Sequence, residues 1–472
     1  MAGTDWRTTL QDAAEAAIAH LEGMDDLPVG ARVGPEEVLA RAAGPAPVAG
    51  TPPDKVVAEL LATVEGGLTV MNAPRFFGWV IGGSTPAGIA ADWLASAWEQ
   101  NTVLVEATPA TVVLEQVAAD WCRELLRLPE ASSLGFVTGG QMANWVGLAA
   151  ARDGVLDAVG WDVEAHGLQG APTVHVVAGA EWHTTVPRAL RYLGLGAETA
   201  TLVDADDQGR MVPEALDAAL DGLDGPVIVV AQAGNVNSGS VDPLDAIVDV
   251  VDRHRGGVPG RMWVHVDGAF GLWGVVSPSR QHLLAGHDRC DSWATDAHKW
   301  LNVPYDCGIA AVRHPEAHRR ALGTRASYLP SGDARFRHPI DVTPEFSRRP
   351  RALPVWATIR ELGADGVAEM VDRCCDLAAR FATRFAVEDD VELANDVVLN
   401  QVVVRFRDPA GEDDDAHTHA VAQRVWDDGT CVMTPTTWQG RAGLRISVSN
   451  WRTSEADVDA SVAAVLRLHR DG

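Results

Sequence analysis

Only two of the 38 basic side chains in this chain are lysines, Lys55 and Lys299; every other cation is an arginine. Lys299 stands in Asp296-Ala297-His298-Lys299-Trp300, among histidine and tryptophan rather than solvated charge. A lysine can do what an arginine cannot: lose its proton and attack a carbonyl carbon to form a Schiff base. Asp267 lies 32 residues earlier, at the end of the short apolar run Trp263-Val264-His265-Val266-Asp267. An amine at one strand end and an acid at another can grip opposite ends of a single flat ring.

Pyridoxal 5'-phosphate (PLP) answers that description. Its aldehyde needs the amine, its ring nitrogen the acid, and its phosphate a set of backbone N–H groups. The third need is met by Thr138-Gly139-Gly140-Gln141, a glycine turn that opens a helix. Free N–H groups and the helix dipole favour an anion there. Each motif alone is weak. Gly-Gly before a helix is most often turn chemistry, and a carboxylate after a strand often caps the next element. Jointly they specify one cofactor. An acid beside the ring nitrogen favours the protonated ring, at about 1.4 kcal/mol per pKa unit. A protonated ring can accept the electron pair released when a bond at Cα breaks. His298, next to Lys299, suits contact with the cofactor or its substrate.

These residues must be carried by strand ends, since ligands of open α/β sheets sit beyond the carboxyl ends of the strands. Apolar runs predict strands at Thr173–Ala178, Thr201–Val203, Val227–Ala231, Met262–Val266, Ser292–Thr295 and Gly308–Val312. Helical periodicity falls between the earlier ones, at His183–Leu193, Pro213–Leu223 and Leu244–His254. Such alternation predicts a mostly parallel sheet with helices on both faces. Before it come helices at Pro86–Ala97 and Ala110–Leu128, and one from the glycine turn to about Arg152. At the start, 8–22 reads as an amphipathic helix, Gly34–Pro53 as an extended arm, and Lys55–Val64 as a helix. Past a polar, Pro-rich loop at Arg335–Arg351, helices are expected at Pro354–Leu362, Val367–Val387, His417–Trp426 and Glu455–His469. Strands are expected there at Val402–Arg407 and Leu444–Val448. The division expected is an N-terminal arm over 1–75 that packs on another subunit, a large PLP-binding domain over 76–350, and a small α+β domain over 351–472.

Composition removes several classes. A formal charge of −27 argues against nucleic acid and anionic membranes as partners. No run of 18 apolar residues occurs, the N-terminus lacks a signal-peptide pattern, and six scattered cysteines fit a reducing compartment, so a cytoplasmic protein is expected. Gly194-Leu195-Gly196 lacks the third glycine of a dinucleotide site. In Asp413-Asp414-Asp415-Ala416-His417-Thr418-His419 the histidines point apart on a helix, so no metal site is expected.

The motifs together resemble the group II PLP-dependent amino acid decarboxylases, the family of aromatic amino acid and glutamate decarboxylases, of fold type I. The resemblance runs from about Ala73 to the C-terminus. It rests on Asn72-Ala73-Pro74-Arg75-Phe76-Phe77, Ala107-Thr108-Pro109-Ala110, Thr138 to Asn144, the His183 segment, His265 to Ala269, Asp296 to Leu301, Pro304 to Gly308 and Ser347 to Leu353. It implies a seven-stranded, mostly parallel sheet in the large domain and a homodimer with the active site at the subunit interface. It implies that Lys299 forms the Schiff base with PLP, Asp267 pairs with the ring nitrogen, Ala269 packs under the ring and His183 stacks over it. Gly140 and Gln141 would hold the phosphate. Asn237, in Gly234-Asn235-Val236-Asn237-Ser238, replaces a Thr-rich run near the ring. Tyr328, in Ala326-Ser327-Tyr328-Leu329, matches the loop tyrosine that returns a proton to Cα, on a loop that reaches the partner's site. Where relatives carry an aromatic and Pro-Thr, this chain has Trp79-Val80-Ile81-Gly82-Gly83, which reshapes the pocket and puts Trp79 and Ile81 beside the substrate. The activity implied is decarboxylation of an L-amino acid; aldehyde synthesis, transamination and aldol cleavage are other outcomes on the same scaffold. A non-catalytic binding protein is the remaining class, and it predicts no turnover.

Overall fold

The expected strand ends are brought into line by one large sheet. The computed structural model describes residues 6–256, 258, 260–324 and 335–471. Seven strands build the sheet: β1 (Ser133–Val137), β2 (His175–Gly179), β3 (Thr201–Val203), β4 (Val227–Gln232), β5 (Met262–Asp267), β6 (Ser292–Asp296) and β7 (Gly308–Val312). Their spatial order is β1-β7-β6-β5-β4-β2-β3. Only β7 runs antiparallel to its neighbours; β6, β5, β4, β2 and β3 pair in parallel. Both faces of β4, β5 and β6 are buried, hence their continuous runs of Val, Ile, Ala and Trp.

Because β1 and β6 both run against β7, they point the same way. Val137 pairs with Gly308, and Gly308 with Asp296. The end of β1, the start of β7 and the end of β6 therefore meet at one edge. β5 ends beside them, with Asp267 paired to Ala294.

The helix Gly140–Asp157 follows β1 and crosses the face of the sheet; it runs five residues past the expected Arg152. β1 itself was not expected, because Ser-Leu-Gly-Phe-Val is short and its glycine reads as part of the turn. The Gly34–Pro53 stretch is not simply extended. It contains the helix Pro35–Ala42, started by a proline in the first turn with Glu36 and Glu37 opposing the dipole. Beyond 351, the run Ala352–Phe385 is interrupted at Gly363 (φ 66°, ψ 174°), so it holds the two helices expected. It leads into a second, antiparallel sheet of β8 (Val391–Leu393), β9 (Gln401–Phe406), β10 (Thr434–Trp438) and β11 (Arg441–Ser447), ordered β10-β11-β9-β8. Asp413 caps the following helix, His417 is buried against His469 at 2.8 Å, and His419 is exposed. Among the described residues no helix is long and apolar enough to cross a membrane.

One buried cation locks the edge of the sheet. Arg348 is fully buried and paired with Glu115 at 2.8 Å. It also donates to the Thr102 carbonyl at 2.7 Å and the Phe136 carbonyl at 2.8 Å, next to the end of β1. Burial pushes the Glu115 carboxyl up, against the pull of Arg348. Removing one partner of such a pair strands the other charge in the interior, at a cost of about 3–5 kcal/mol. Arg348→Met is therefore expected to lose stability by about that amount in urea unfolding, and the double variant with Glu115→Leu to recover much of it.

Candidate active site

Alternation along β5 sends Trp263, His265 and Asp267 to one face and Met262, Val264 and Val266 to the other. Asp267 is 4% exposed. Its Oδ1 accepts from the Ala269 N–H at 3.3 Å, and its Oδ2 from the Thr185 hydroxyl at 3.4 Å. Past the end of β6 the chain folds back, the N–H groups of Ala297 and His298 both donating to the Cys307 carbonyl. That turn carries Lys299 inward, its Nζ 3.0 Å from Asp296 Oδ2. Gly82 makes room for it: a Cβ there would meet the Lys299 carbonyl oxygen at 1.9 Å.

His298 is held from two sides. Its Nδ1 accepts from the Cys307 N–H at 3.1 Å, and its ring stacks on Tyr305 at 4.2 Å between centroids. Burial holds its pKa below the ordinary value. The neutral ring therefore carries its hydrogen on Nε2, 3.5 Å from Asp296 Oδ1.

The glycine turn closes the corner. Gly140 and Gln141 are the first residues of their helix, so their N–H groups have no acceptor one turn back. A Cβ on Gly140 would lie 2.7 Å from Asp296 Oδ2, and one on Gly308 would lie 2.6 Å from Gly139 Cα. Only glycine permits the three segments to meet.

His183 lies across the site. Burial lowers its pKa, Asp267 and Asp296 oppose that shift, and Lys299 and Arg445 add to it, so all four charges converge on one imidazole. Its Nδ1 lies 2.9 Å from the Thr185 hydroxyl. Arg445, from β11, is the cation sequence reading missed. It is 9% exposed, burial lowers it to about 10, and its Nε has no hydrogen-bond partner among the described residues.

The other expected residues are placed as follows. Ala269 follows Asp267 at the end of β5, and its carbonyl accepts from the Asp296 N–H at 2.9 Å. Gln141 donates its side chain to the Thr185 carbonyl at 3.2 Å. Asn237 is buried, and its Oδ1 accepts from the Thr436 hydroxyl at 2.7 Å, tying the large sheet to β10. The Trp79 ring packs on Phe76 and Trp426 at 6.0 and 5.8 Å. Ile81 joins the same apolar cluster. Tyr328 lies outside the described residues.

The donor set fits PLP. A primary amine, a buried carboxylate and two free N–H groups surround a corner kept clear by glycine. Residues 35–407 match the family described as Pyridoxal-dependent decarboxylase conserved domain. The chain belongs to that family.

Relatives agree. The Aromatic-L-amino-acid decarboxylase of Bacillus atrophaeus is 26% identical over 401 residues, 84% of this chain and 80% of the relative. Tryptophan decarboxylase 1 of Oryza sativa subsp. japonica is 29% identical over 478 residues, 94% of this chain and 90% of the relative. The crystal structure of Oryza sativa TDC with PLP and tryptamine superposes with a TM-score of 0.90 at 26% identity, over 100% of this chain and 99% of that one. The protein is a PLP-dependent carboxy-lyase with the fold of these decarboxylases.

Sequence reading also missed Asn144, Thr185, His265 and Ser292 as part of the site. Gly147 and Gly154 were the available signal, two glycines seven apart on a buried helix where side chains should pack. A Cβ on Gly147 would meet His265 at 2.5 Å, and one on Gly154 would meet Trp263 at 2.8 Å.

Gly140→Ala forces a methyl against Asp296. The expected cost is about 1–3 kcal/mol of stability, read by urea unfolding of the cofactor-free protein, together with weaker PLP retention on dialysis.

Proposed function

We propose that the chain converts an L-amino acid to its amine and CO2. PLP, when bound, supplies an electron sink for the pair left at Cα once the carboxylate departs. In this reading Lys299 is the amine that bonds the cofactor aldehyde, and Asp267 keeps a proton on the ring nitrogen. Neutral His183 lies over the ring and Ala269 beneath it. The N–H groups of Gly140 and Gln141 hold the phosphate, with His298 and Asn237 as further contacts. Trp79 and Ile81 stand on the substrate side. Arg445 offers a desolvated cation to a substrate carboxylate, since no carboxylate among the described residues pairs with it. Tyr328 returns a proton to Cα.

The observation that carries this reading is the convergence of Lys299, Asp267 and the free N–H groups of the glycine turn on one end of the sheet. Lys299→Ala is expected to abolish both the visible absorbance of the PLP-loaded enzyme and CO2 release from every member of an aromatic, acidic, basic and branched amino acid panel. A variant that keeps both overturns the assignment. Tyr328→Phe is expected to slow amine formation by about 10²–10⁴-fold, with hydrogen peroxide and ammonia rising as oxygen competes for Cα.

We further propose a homodimer with the site at its interface. The N-terminal helices leave large apolar side chains in solvent, Trp6 at 70%, Leu39 at 65% and Leu60 at 60% exposure. Patches of this kind mark association surfaces. Sedimentation at micromolar concentration is expected to give twice the chain mass; a monomer overturns this part.

A further inference from the structure

A chain of buried polar side chains runs along the face of β5 and ends at the active site. Trp263 Nε1 donates to Ser292 Oγ at 2.8 Å, and Ser292 Oγ lies 2.8 Å from His265 Nδ1. His265 Nε2 lies 2.9 Å from Asn144 Oδ1. Asn144 Nδ2 donates to Thr185 Oγ1 at 3.1 Å. The Thr185 hydroxyl then sits 2.9 Å from His183 Nδ1 and 3.4 Å from Asp267 Oδ2.

The chain has a single direction. The Asn144 amide oxygen can only accept, so His265 gives it the Nε2 hydrogen, and its neutral ring accepts at Nδ1 from the Ser292 hydroxyl, which in turn accepts from the Trp263 indole. The hydrogen of His265 is thus on Nε2, aimed at the Asn144 carbonyl oxygen. The Asn144 amide therefore presents N–H to Thr185, and the single hydrogen of the Thr185 hydroxyl is free only for His183 or Asp267. Burial supports the neutral ring that this requires, lowering His265 to about 3. His265, Ser292 and Asn144 are all fully buried. Gly147 and Gly154 open the space that the His265 and Trp263 rings fill.

We propose that His265, Asn144 and Thr185 are positioning residues: they commit the single hydrogen of the Thr185 hydroxyl to the side of the two groups that flank the cofactor ring, His183 and Asp267, and so hold Asp267 as an oriented acceptor. The proposal rests on Asp267 facing the ring nitrogen, and its test separates the two ideas. Hydrogen bonds to charged groups are strong enough to change an equilibrium by about tenfold or more when lost.

PLP is titrated into cofactor-free protein carrying Asp267→Asn, Thr185→Val, Thr185→Ser or Asn144→Asp, following affinity and the absorbance maximum. Urea unfolding checks that each variant is folded. Asn144→Asp is isosteric but has no N–H, so it reverses the last link and draws the Thr185 hydrogen to itself. Thr185→Val and Asn144→Asp are expected to weaken PLP binding about tenfold or more and to displace the absorbance maximum in the direction seen with Asp267→Asn. With substrate, kcat should fall while KM changes little. Thr185→Ser should stay within about twofold of wild type, because it keeps the hydroxyl. Wild-type affinity and absorbance in Thr185→Val, alongside an impaired Asp267→Asn, overturn the relay and leave the role of Asp267 standing. An unimpaired Asp267→Asn overturns both.

Discussion

Asp267 and Lys299, the two groups proposed to grip one ring, are brought to the same end of the sheet because β5 and β6 are parallel neighbours in a fixed register, Asp267 opposite Ala294. A slip of one residue would turn Asp267 to the opposite face of the sheet, among Val264 and Val266. That register is held by burial. β5 is covered on both faces, and its side chains lock into the Gly140–Asp157 helix at the two positions where glycine lets Trp263 and His265 in. The packing that stabilises the sheet is thus the packing that aims the carboxylate.

The corner opposite Asp267 is built from the same economy of space. Gly139, Gly140, Gly308 and Asp296 approach so closely that a Cβ on Gly308 would run into the Gly139 backbone and one on Gly140 into the Asp296 carboxylate. Arg348 fastens this corner from behind, through the Phe136 carbonyl and Glu115. Asp296 faces Lys299 and His298 here, and the N–H groups that open the Gly140–Asp157 helix are left without an acceptor one turn back. Polar groups left without partners are costly in a finished fold; in the proposed reading a phosphate supplies the acceptor those N–H groups need.

The sequence made legible whatever is local. Strands β3 and β7 and the helix Leu244–His254 fall where apolar period and length place them. Lys299, Asp267, Gly140 and His183 stood out through residue type and motif. What stayed hidden depends on contacts between distant segments. Ser292, His265, Asn144 and Thr185 come from four elements, and each alone is an ordinary polar residue in an apolar run. Arg445 reads as one of many arginines until the small sheet is folded against the large one. β1 was masked by its own glycine, whose missing side chain makes room for the Val342 carbonyl.

The parts of the site differ in how firmly the fold fixes them, and the difference bears on chemistry. Lys299, Asp267, His183 and the glycine turn are set by strand ends and helix starts, already oriented by protein hydrogen bonds alone. Such preorganisation spares the enzyme reordering at the moment of reaction. A ring clamped this way serves any reaction that breaks a bond at Cα, so the clamp by itself does not select the product. The residues proposed to select it come from elsewhere: Arg445 from β11, and Trp79 from a segment whose backbone takes the left-handed region at both Trp79 and Val80. Neither Arg445 nor Trp79 belongs to the large sheet. In the proposed reading the large sheet therefore accounts for cofactor grip, and the specificity of the reaction falls to segments laid over it, where residues can change without disturbing the register on which the grip depends.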